Sequence, residues 1–217
     1  MKLAILGGSG SGKSTQAQIL CNDFNIPVIS TGDILREAIN QTGLSELNTH
    51  GNTSKLVNQE NNSQGDRNLG DRNLLELGHH AQSYVENGEL VPDEIMIGFI
   101  RRRLKQSDVN RGWILEGYPR TAFQAEELNF LLEDLQQQLD WAIYLQVSEA
   151  VMFKRCNGRS LPDDRPEIVQ RRIELFYDRT VPILEYYDRR RRLLTIDGDQ
   201  APELVRQNII KLLGYSL

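Results

Sequence analysis

Short apolar runs alternate along the chain with longer amphipathic stretches. The apolar runs have the length of β-strands and predict five, at Lys2–Leu6, Pro27–Ser30, Trp113–Glu116, Trp141–Gln146 and Arg192–Ile196. The stretches between them repeat apolar residues at helical spacing and predict helices at Lys13–Asp23, Thr31–Gln41, Leu74–Asn87, Asp93–Gln106, Ala122–Gln138, Glu149–Asn157, Pro166–Arg190 and Ala201–Leu213. Strands that alternate with helices are typical of a parallel sheet covered on both faces. We therefore predict an α/β fold of three layers, with a five-stranded parallel sheet between helices.

The stretch between Asn40 and Asn73 departs from this pattern. It carries eight asparagines, few apolar residues and a tandem repeat of the sequence GDRNL at 65–69 and 70–74. Such a composition cannot bury enough apolar surface to offset the cost of ordering the chain. We therefore predict that Ser45–Asp71 is a flexible surface insertion.

Composition and charge exclude several classes of protein. The chain has 217 residues, and its 25 basic and 30 acidic side chains give a formal net charge of -5. This balance argues against a surface that wraps nucleic acid or lies on an anionic membrane. Two cysteines are too few for a disulfide framework or a four-cysteine zinc site, so no structural zinc is expected. Residues 1–217 are predicted to form one cytoplasmic, monomeric domain without nucleic-acid or membrane partners.

The glycine-rich stretch Gly7–Thr15 carries the strongest chemical signal. Its sequence, GGSGSGKST, fits the phosphate-binding pattern G-x-x-x-x-G-K-[ST], with a predicted strand before it and a predicted helix after it. Glycines let backbone N–H groups converge on phosphate oxygens, and the helix N-terminus adds partial positive charge. Lys13 is expected to reach the β- and γ-phosphates, while the Ser14 hydroxyl binds Mg²⁺. The predicted ATP site therefore includes Gly10, Ser11, Gly12, Lys13, Ser14 and Thr15.

Further blocks of sequence indicate the kind of nucleotide-binding protein. They are STGDILR at 30–36, GELVPDE at 88–94, GWILEGYPRT at 112–121 with Gln124, KRCNGR at 154–159, DDRPE at 163–167 with Arg172, and IDG at 196–198. In this order and at these spacings, the chain resembles the adenylate kinase family of nucleoside monophosphate kinases. The resemblance covers nearly all of the chain apart from the asparagine-rich insertion. It implies a P-loop kinase core that transfers a phosphoryl group reversibly from MgATP to AMP, giving two ADP.

Phosphoryl transfer to a monophosphate requires alignment and charge neutralisation. No general base is needed, because the accepting phosphate is already an anionic oxygen nucleophile. Several converging cations are therefore expected around the two nucleotides. The family pattern implies catalytic roles for Lys13, Arg120, Arg155, Arg159 and Arg172. Arg155 and Arg159 lie four residues apart on one helical face and would bind the ATP phosphates, with the ATP adenine near Gln200.

The resemblance places the acceptor nucleotide in the segment Thr31–Val91. It implies that Thr31 and Gln124 bind the adenine edge, since a carboxamide both donates and accepts hydrogen bonds. Arg36 lies near the positive end of its helix, and Arg120 follows a strand at the carboxyl edge of the sheet, so both are expected to meet the monophosphate. The complete predicted AMP set is Thr31, Gly32, Arg36, Glu89, Leu90, Val91, Gly117, Tyr118, Pro119, Arg120, Gln124 and Arg172.

Four positions depart from the usual family pattern. Ser9 and Ser14 replace Pro and Gly in the loop, Glu116 replaces Asp, and Leu161 replaces Arg. Glu116 ends a predicted strand and is expected, with Ser14, to hold Mg²⁺ through water. Three residues separate Arg159 from Asp163, so we predict a minimal lid at 159–163.

Two other functions remain open on the sequence. A UMP/CMP kinase is the first, although such relatives typically have Ala in place of Thr31 and Asn in place of Thr121, which favours AMP here. The second is a weakly active nucleotide-binding regulatory module, which the altered loop and Leu161 favour and the retained Lys13 and Arg120 oppose.

Overall fold

The computed structural model describes residues 1–49, 77–158 and 164–215, with side chains for all of these except 41–49. Five strands form one parallel sheet in the order β2-β3-β1-β4-β5. They are β1 (Lys2–Leu6), β2 (Val28–Ser30), β3 (Trp113–Glu116), β4 (Trp141–Gln146) and β5 (Leu193–Asp197). The predicted five-stranded parallel sheet is therefore confirmed, with every strand end within one residue of its predicted place.

Helices cover both faces of this sheet. They are α1 (Lys13–Phe24), α2 (Thr31–Thr49), α3 (77–86), α4 (Asp93–Arg103), α5 (Ala122–Asp134), α6 (Glu149–Asn157), α7 (Pro166–Leu175), α8 (Val181–Arg189) and α9 (Pro202–Leu212). On one face, α1 and α9 pack against Leu3 and Ile5 of β1. On the other face, α4 and α5 pack around Ala4. All three strand residues are fully buried, which explains why β1 reads as an unbroken apolar run.

The helix predicted to end at Gln41 is longer than expected. α2 runs to Thr49 and so overlaps the first five residues of the predicted insertion, Ser45–Asp71. Extending a formed helix costs much less than starting one, and Leu and Glu residues in 42–49 favour the helical state. The remainder of that insertion and the predicted lid at 159–163 lie outside the described residues.

The single helix predicted at Pro166–Arg190 is divided into three parts. A π-helical turn, Phe176–Thr180, separates α7 from α8. Pro182 has no backbone N–H and cannot donate to the carbonyl four residues earlier, and the wider turn absorbs this interruption just before it. The prediction of one continuous α-helix was therefore wrong between Phe176 and Thr180.

Both cysteines lie in helices, as predicted. Cys21 is half-buried in α1 and Cys156 is buried in α6, and both are free thiols. Within the described part of the chain, no helix is both long enough and apolar enough to cross a membrane.

Candidate active site

A cavity of about 340 Å³ lies at the carboxyl edge of the sheet, where ligands bind in open α/β folds. The segments that follow β1, β2 and β3 converge on it. The predicted site residues that line it are Gly10, Gly12, Lys13, Ser14, Thr15, Thr31, Gly32, Arg36, Glu89, Leu90, Val91, Glu116, Gly117, Tyr118, Arg120, Gln124, Arg155 and Arg172. A smaller cavity of about 30 Å³ has Lys13, Arg120 and Arg172 in its wall as well. One space therefore brings together the two sets of residues predicted for ATP and AMP.

The loop between β1 and α1 is shaped by glycines. Gly10 and Gly12 have φ of 81° and 94°, a left-handed conformation that other residues adopt at a cost. A Cβ on Gly10 would lie 2.3 Å from the Met152 carbonyl of α6, so only glycine fits there. The Lys13 amine donates to the Gly8 carbonyl at 2.8 Å and is thereby held at the loop. The loop is formed and carries its cation before any phosphate enters.

Arg120 is fixed by contacts from three directions. Its Nε donates to the Gly117 carbonyl at 2.8 Å, and its backbone N–H donates to Gln124 Oε1 at 2.8 Å. Its own carbonyl accepts a hydrogen bond of 2.9 Å from Thr180 Oγ1 in the π-helical turn. Both the backbone and the side chain of this arginine are therefore positioned in advance, which lowers the entropy lost on binding a substrate.

The electrostatic surroundings of Arg120 favour an anion. Burial lowers the pKa of its guanidinium below the usual value, the carboxylate of Glu116 raises that pKa, and the positive charges of Arg172 and Arg36 lower it further. A guanidinium remains charged at neutral pH despite such a shift. The direction of the shift shows that positive charge is held here at a cost. A bound phosphate would remove that cost and raise the pKa again.

Three further arginines line the same cavity from different elements. Arg155 of α6 donates to the Gly198 carbonyl, just after β5, at 2.9 Å. The guanidinium of Arg172 in α7 lies 3.8 Å from the Asp164 carboxylate. Arg36 of α2 pairs with Asp33 one turn earlier on the same helix. These side chains are held toward the cavity from several sides, as the family pattern implies.

Glu116 ends β3 and points its carboxylate toward the start of α2. It is 6% exposed and accepts a hydrogen bond of 2.7 Å from Ser30 Oγ. Ser30 Oγ in turn accepts from the Asp33 backbone N–H at 3.3 Å, which caps α2. Carboxylate and hydroxyl oxygens from Glu116 and Ser14 are the ligand type that Mg²⁺ prefers beside substrate phosphates and water. The donors in the cavity wall therefore fit the predicted ion.

The side of the cavity where the sequence predicts the acceptor base combines a polar pair with an apolar wall. Thr31 and Gln124 are each 2% exposed, and the Thr31 hydroxyl donates to the Glu116 carbonyl at 3.2 Å. Gly117, with φ of 82°, lets these segments approach, since a Cβ there would lie 2.4 Å from the Thr31 hydroxyl. The apolar wall consists of Leu35, Val85, Leu90, Val91 and Met96.

Comparisons with known proteins agree with this geometry. A family model described as adenylate kinase matches residues 69–192, and one described as an AAA domain matches residues 6–75. "Adenylate kinase 2" of Nostoc sp. is 64% identical over 213 residues, covering 98% of each chain. "Adenylate kinase 2" of Synechocystis sp. is 48% identical, covering 94% of this chain and 98% of its own. The chain belongs to the adenylate kinase family.

Some residues of this adenylate kinase family member lie elsewhere than the sequence predicts. Among the described residues of the predicted set, Ser11, Pro119 and Gln200 do not line the main cavity. Ser11 is a buried residue of the loop, and Pro119 lines the smaller cavity instead. The Gln200 side chain bonds to Asp197 and Asn208. Arg159 lies outside the described residues.

Sequence reasoning missed the apolar wall and the groups that hold the polar residues. Leu35, Val85 and Met96 lie in three different helices, α2, α3 and α4, where an apolar residue predicts a core face equally well. Thr180 and Asp93 do not line the main cavity and act on it through Arg120 and Gln124, which are 60 and 31 positions away along the chain. A hydroxyl or carboxylate that bonds at such a separation leaves no local signal in the sequence.

We expect Thr180→Val to lower kcat about tenfold, because the Arg120 carbonyl loses its buried partner and the guanidinium shifts. Valine keeps the shape of threonine, so packing is preserved. Thr180→Ser keeps the hydroxyl and is expected to have the wild-type rate. Thr195→Val, at an exposed side chain of β5, is the control and is expected to leave the rate unchanged. Steady-state ADP formation measures all three. Equal rates for the valine and serine variants would show that the hydrogen bond has no role.

Proposed function

We propose that this chain is an adenylate kinase that catalyses reversible phosphoryl transfer from MgATP to AMP, giving two ADP. One observation carries the proposal. A P-loop and four arginines supplied by α2, α6, α7 and the segment after β3 line a single cavity large enough for phosphates to meet. The curated relatives that match almost the whole chain bear the name adenylate kinase, which supports the same activity.

The reaction follows from the groups in the cavity. A phosphate oxygen of AMP forms a bond to the γ-phosphorus of ATP, and the bond from that phosphorus to the bridging oxygen breaks, leaving ADP. Negative charge on the transferring group and on the leaving oxygen is stabilised by Lys13, Arg120, Arg155 and Arg172. Proton transfer by a side chain is not required. The main contribution of the protein is to align two polyanions that repel each other in water.

Magnesium supplies charge neutralisation at the β- and γ-phosphates when it enters with ATP. Ser14 would contribute its hydroxyl, and Glu116 would hold a water of the ion. The hydrogen bond from Ser30 restricts the Glu116 carboxylate and leaves its other oxygen for this role. Glu116 has one more methylene than the usual Asp, and Ser30 is the partner that holds the longer side chain in place.

The two nucleotides are assigned to opposite sides of the cavity. ATP would lie along the P-loop, with its adenine beside the backbone after Gly198, where Arg155 already donates to a carbonyl. AMP would lie in the segment Thr31–Val91, with its phosphate near Arg36 and Arg120. This arrangement places the phosphates of both nucleotides between Lys13 and Arg120.

The remaining assignments concern the whole chain. We propose one P-loop kinase domain over residues 1–217, with a minimal lid at 159–163. We also propose a cytoplasmic monomer that acts on free nucleotides, which agrees with a formal net charge of -5. Gel filtration at working concentration tests the monomer.

Acceptor preference tests the proposed function. We expect kcat/KM for AMP to exceed the values for UMP and CMP by about 100-fold or more, because the pocket pairs a hydrogen-bonding amide with an apolar wall, which a two-ring purine contacts more than a pyrimidine does. ADP formation is measured with each acceptor under the same MgATP concentration. A higher kcat/KM for UMP or CMP would indicate a pyrimidine kinase. ADP formation that no acceptor accelerates would indicate a nucleotide-binding regulatory module.

A further inference from the structure

The carboxamide of Gln124 is hydrogen-bonded through both its nitrogen and its oxygen, to an acceptor and to a donor respectively. Its Nε2 donates to Asp93 Oδ1 at 2.8 Å, and its Oε1 accepts from the Arg120 backbone N–H at 2.8 Å. Gln124 is 2% exposed and lies in the cavity wall on the base-binding side. Its orientation is therefore set by the protein before a base arrives.

These partners permit only one orientation of the amide. A carboxylate such as Asp93 only accepts, and a backbone N–H only donates. Turning the amide over would place Oε1 against the Asp93 carboxylate and the NH₂ group against the Arg120 N–H. Both hydrogen bonds would be lost, and two buried like-with-like contacts would replace them.

Asp93 is itself held in place at the start of α4. Its second oxygen, Oδ2, accepts a hydrogen bond of 3.0 Å from Thr121 Oγ1. Thr121 Oγ1 also accepts from the Gln124 backbone N–H at 3.1 Å and so caps α5. The N-terminal end of α4 favours a negative charge at this position. The carboxylate has two defined partners and does not rotate freely.

Gln124 retains one N–H and one lone pair beyond these internal bonds. A carboxamide carries two N–H donors, and its oxygen carries two lone pairs, of which the network uses one each. With the amide fixed, the remaining groups suit an edge that places an acceptor nitrogen beside an amino donor. Adenine and cytosine have that edge. Uracil and guanine, when held in the same pose as cytosine and adenine, present the reverse, an N–H beside a carbonyl, which sets donor against donor and acceptor against acceptor at the fixed amide.

We propose that Asp93 is a specificity-determining positioning residue. Through Gln124 it selects acceptor bases with an amino group beside a ring nitrogen and rejects bases with the reversed edge. This inference rests on the proposed function, since it concerns how the same kinase chooses its acceptor. It separates two kinds of selectivity: Asp93 sets the hydrogen-bonding edge, and the apolar wall sets the size of the base.

Asp93→Ala tests the proposal with four acceptors, AMP, CMP, UMP and GMP. Glu94→Ala is the matched control, because Glu94 is the other acidic residue in the first turn of α4 and is exposed. We expect Asp93→Ala to lower the ratio of kcat/KM for AMP over UMP about tenfold or more, and the AMP over GMP ratio likewise. The AMP over CMP ratio stays within about threefold, because both bases lose the same partner. Most of the loss for AMP lies in KM, and Glu94→Ala leaves all ratios unchanged.

A second variant keeps the test decisive if Asp93→Ala does not fold. Asp93→Asn still offers an oxygen to Gln124 Nε2 and is expected to retain the AMP over UMP ratio within about threefold. A uniform loss for all four acceptors in the alanine variant would mean that Asp93 only stabilises the fold, and would overturn the proposal. Loss of selectivity in Asp93→Asn would overturn it as well. Failure of the proposed function is seen separately, as wild-type protein that does not use AMP.

Discussion

Replacing Arg120 with alanine is expected to lower kcat/KM for AMP about 1,000-fold, because the cavity loses a positive charge that hydrogen bonds hold in place. Arg120 is the group whose pKa responds to Glu116, Arg172 and Arg36 together. It is also the one held by Gly117, Gln124 and Thr180 at once, which we identify as the centre of the charge arrangement. Loss of a fixed charge at that point affects the transition state more than the ground state.

Two further variants show whether the effect of Arg120→Ala comes from the charge, the planar guanidinium or the loss of any arginine. Arg120→Lys keeps the positive charge but not the planar fork, and is expected to recover only part of the rate. Arg190→Ala removes an arginine that stacks on Tyr186 outside the main cavity, and is expected to leave the rate unchanged. Kinetics with AMP varied at saturating MgATP compare them. Turnover of Arg120→Ala within about threefold of wild type would contradict the assigned role.

Replacing Lys13 with methionine is expected to lower kcat about 1,000-fold while KM for AMP changes less than about threefold. Methionine keeps most of the length of the side chain and removes the charge. The amine lies 2.8 Å from the Gly8 carbonyl, at the loop proposed to hold the β- and γ-phosphates, so we expect it to stabilise charge on the transferring group. Loss of this charge is therefore expected to slow the chemical step more than it weakens the binding of AMP.

The control for Lys13→Met is the same substitution at a lysine that lies outside the loop. Lys211→Met removes the same charge from the exposed last turn of α9 and is expected to have wild-type kinetics. Nucleotide binding in the absence of AMP separates the effect on ATP affinity from the effect on the rate. If Lys13→Met retained its kcat, the placement of the ATP phosphates on this loop would be wrong.

Most of the sheet was predictable because its central strands, such as β1 and β3, are buried on both faces. Residues such as Leu3, Ala4 and Ile5 contact helices on opposite sides and are all fully buried, so the strand reads as one apolar run of the right length. The P-loop was predictable for a different reason. Its glycines are required by backbone geometry and by the close approach of Met152, and such a requirement is written directly in the sequence.

Features that depend on distant contacts were not predictable in the same way. The helix that starts at Thr31 continues to Thr49, because extending a formed helix costs little free energy. The local sequence did not show that the helix ends at Thr49 and not at the predicted Gln41. The π-helical turn before Pro182 places Thr180 against Arg120, which is far from it along the chain. A proline indicates an interruption of the helix, but it does not indicate how the chain absorbs that interruption.

In the candidate site, too, features set by the local sequence were predictable and features set by distant contacts were not. Lys13 was identified from the loop motif, and Arg36 and Gln124 from the resemblance to the family; the structure places all three around one cavity. The partners that orient them were not identified. Asp93 looks like an ordinary first-turn acid of α4, and only the fold brings it to the Gln124 carboxamide. Residues proposed to bind nucleotides were identified from the sequence, whereas the residues that hold them in position required the tertiary structure.

The most direct test of the proposed adenylate kinase activity follows the nucleotides in one reaction of wild-type protein with MgATP and AMP. Chromatography measures ATP, AMP and ADP over time, with a parallel reaction that omits AMP. We expect two ADP to form for each AMP consumed, and we expect no ADP to form when AMP is left out. ADP that accumulates while AMP stays constant would contradict the proposed activity.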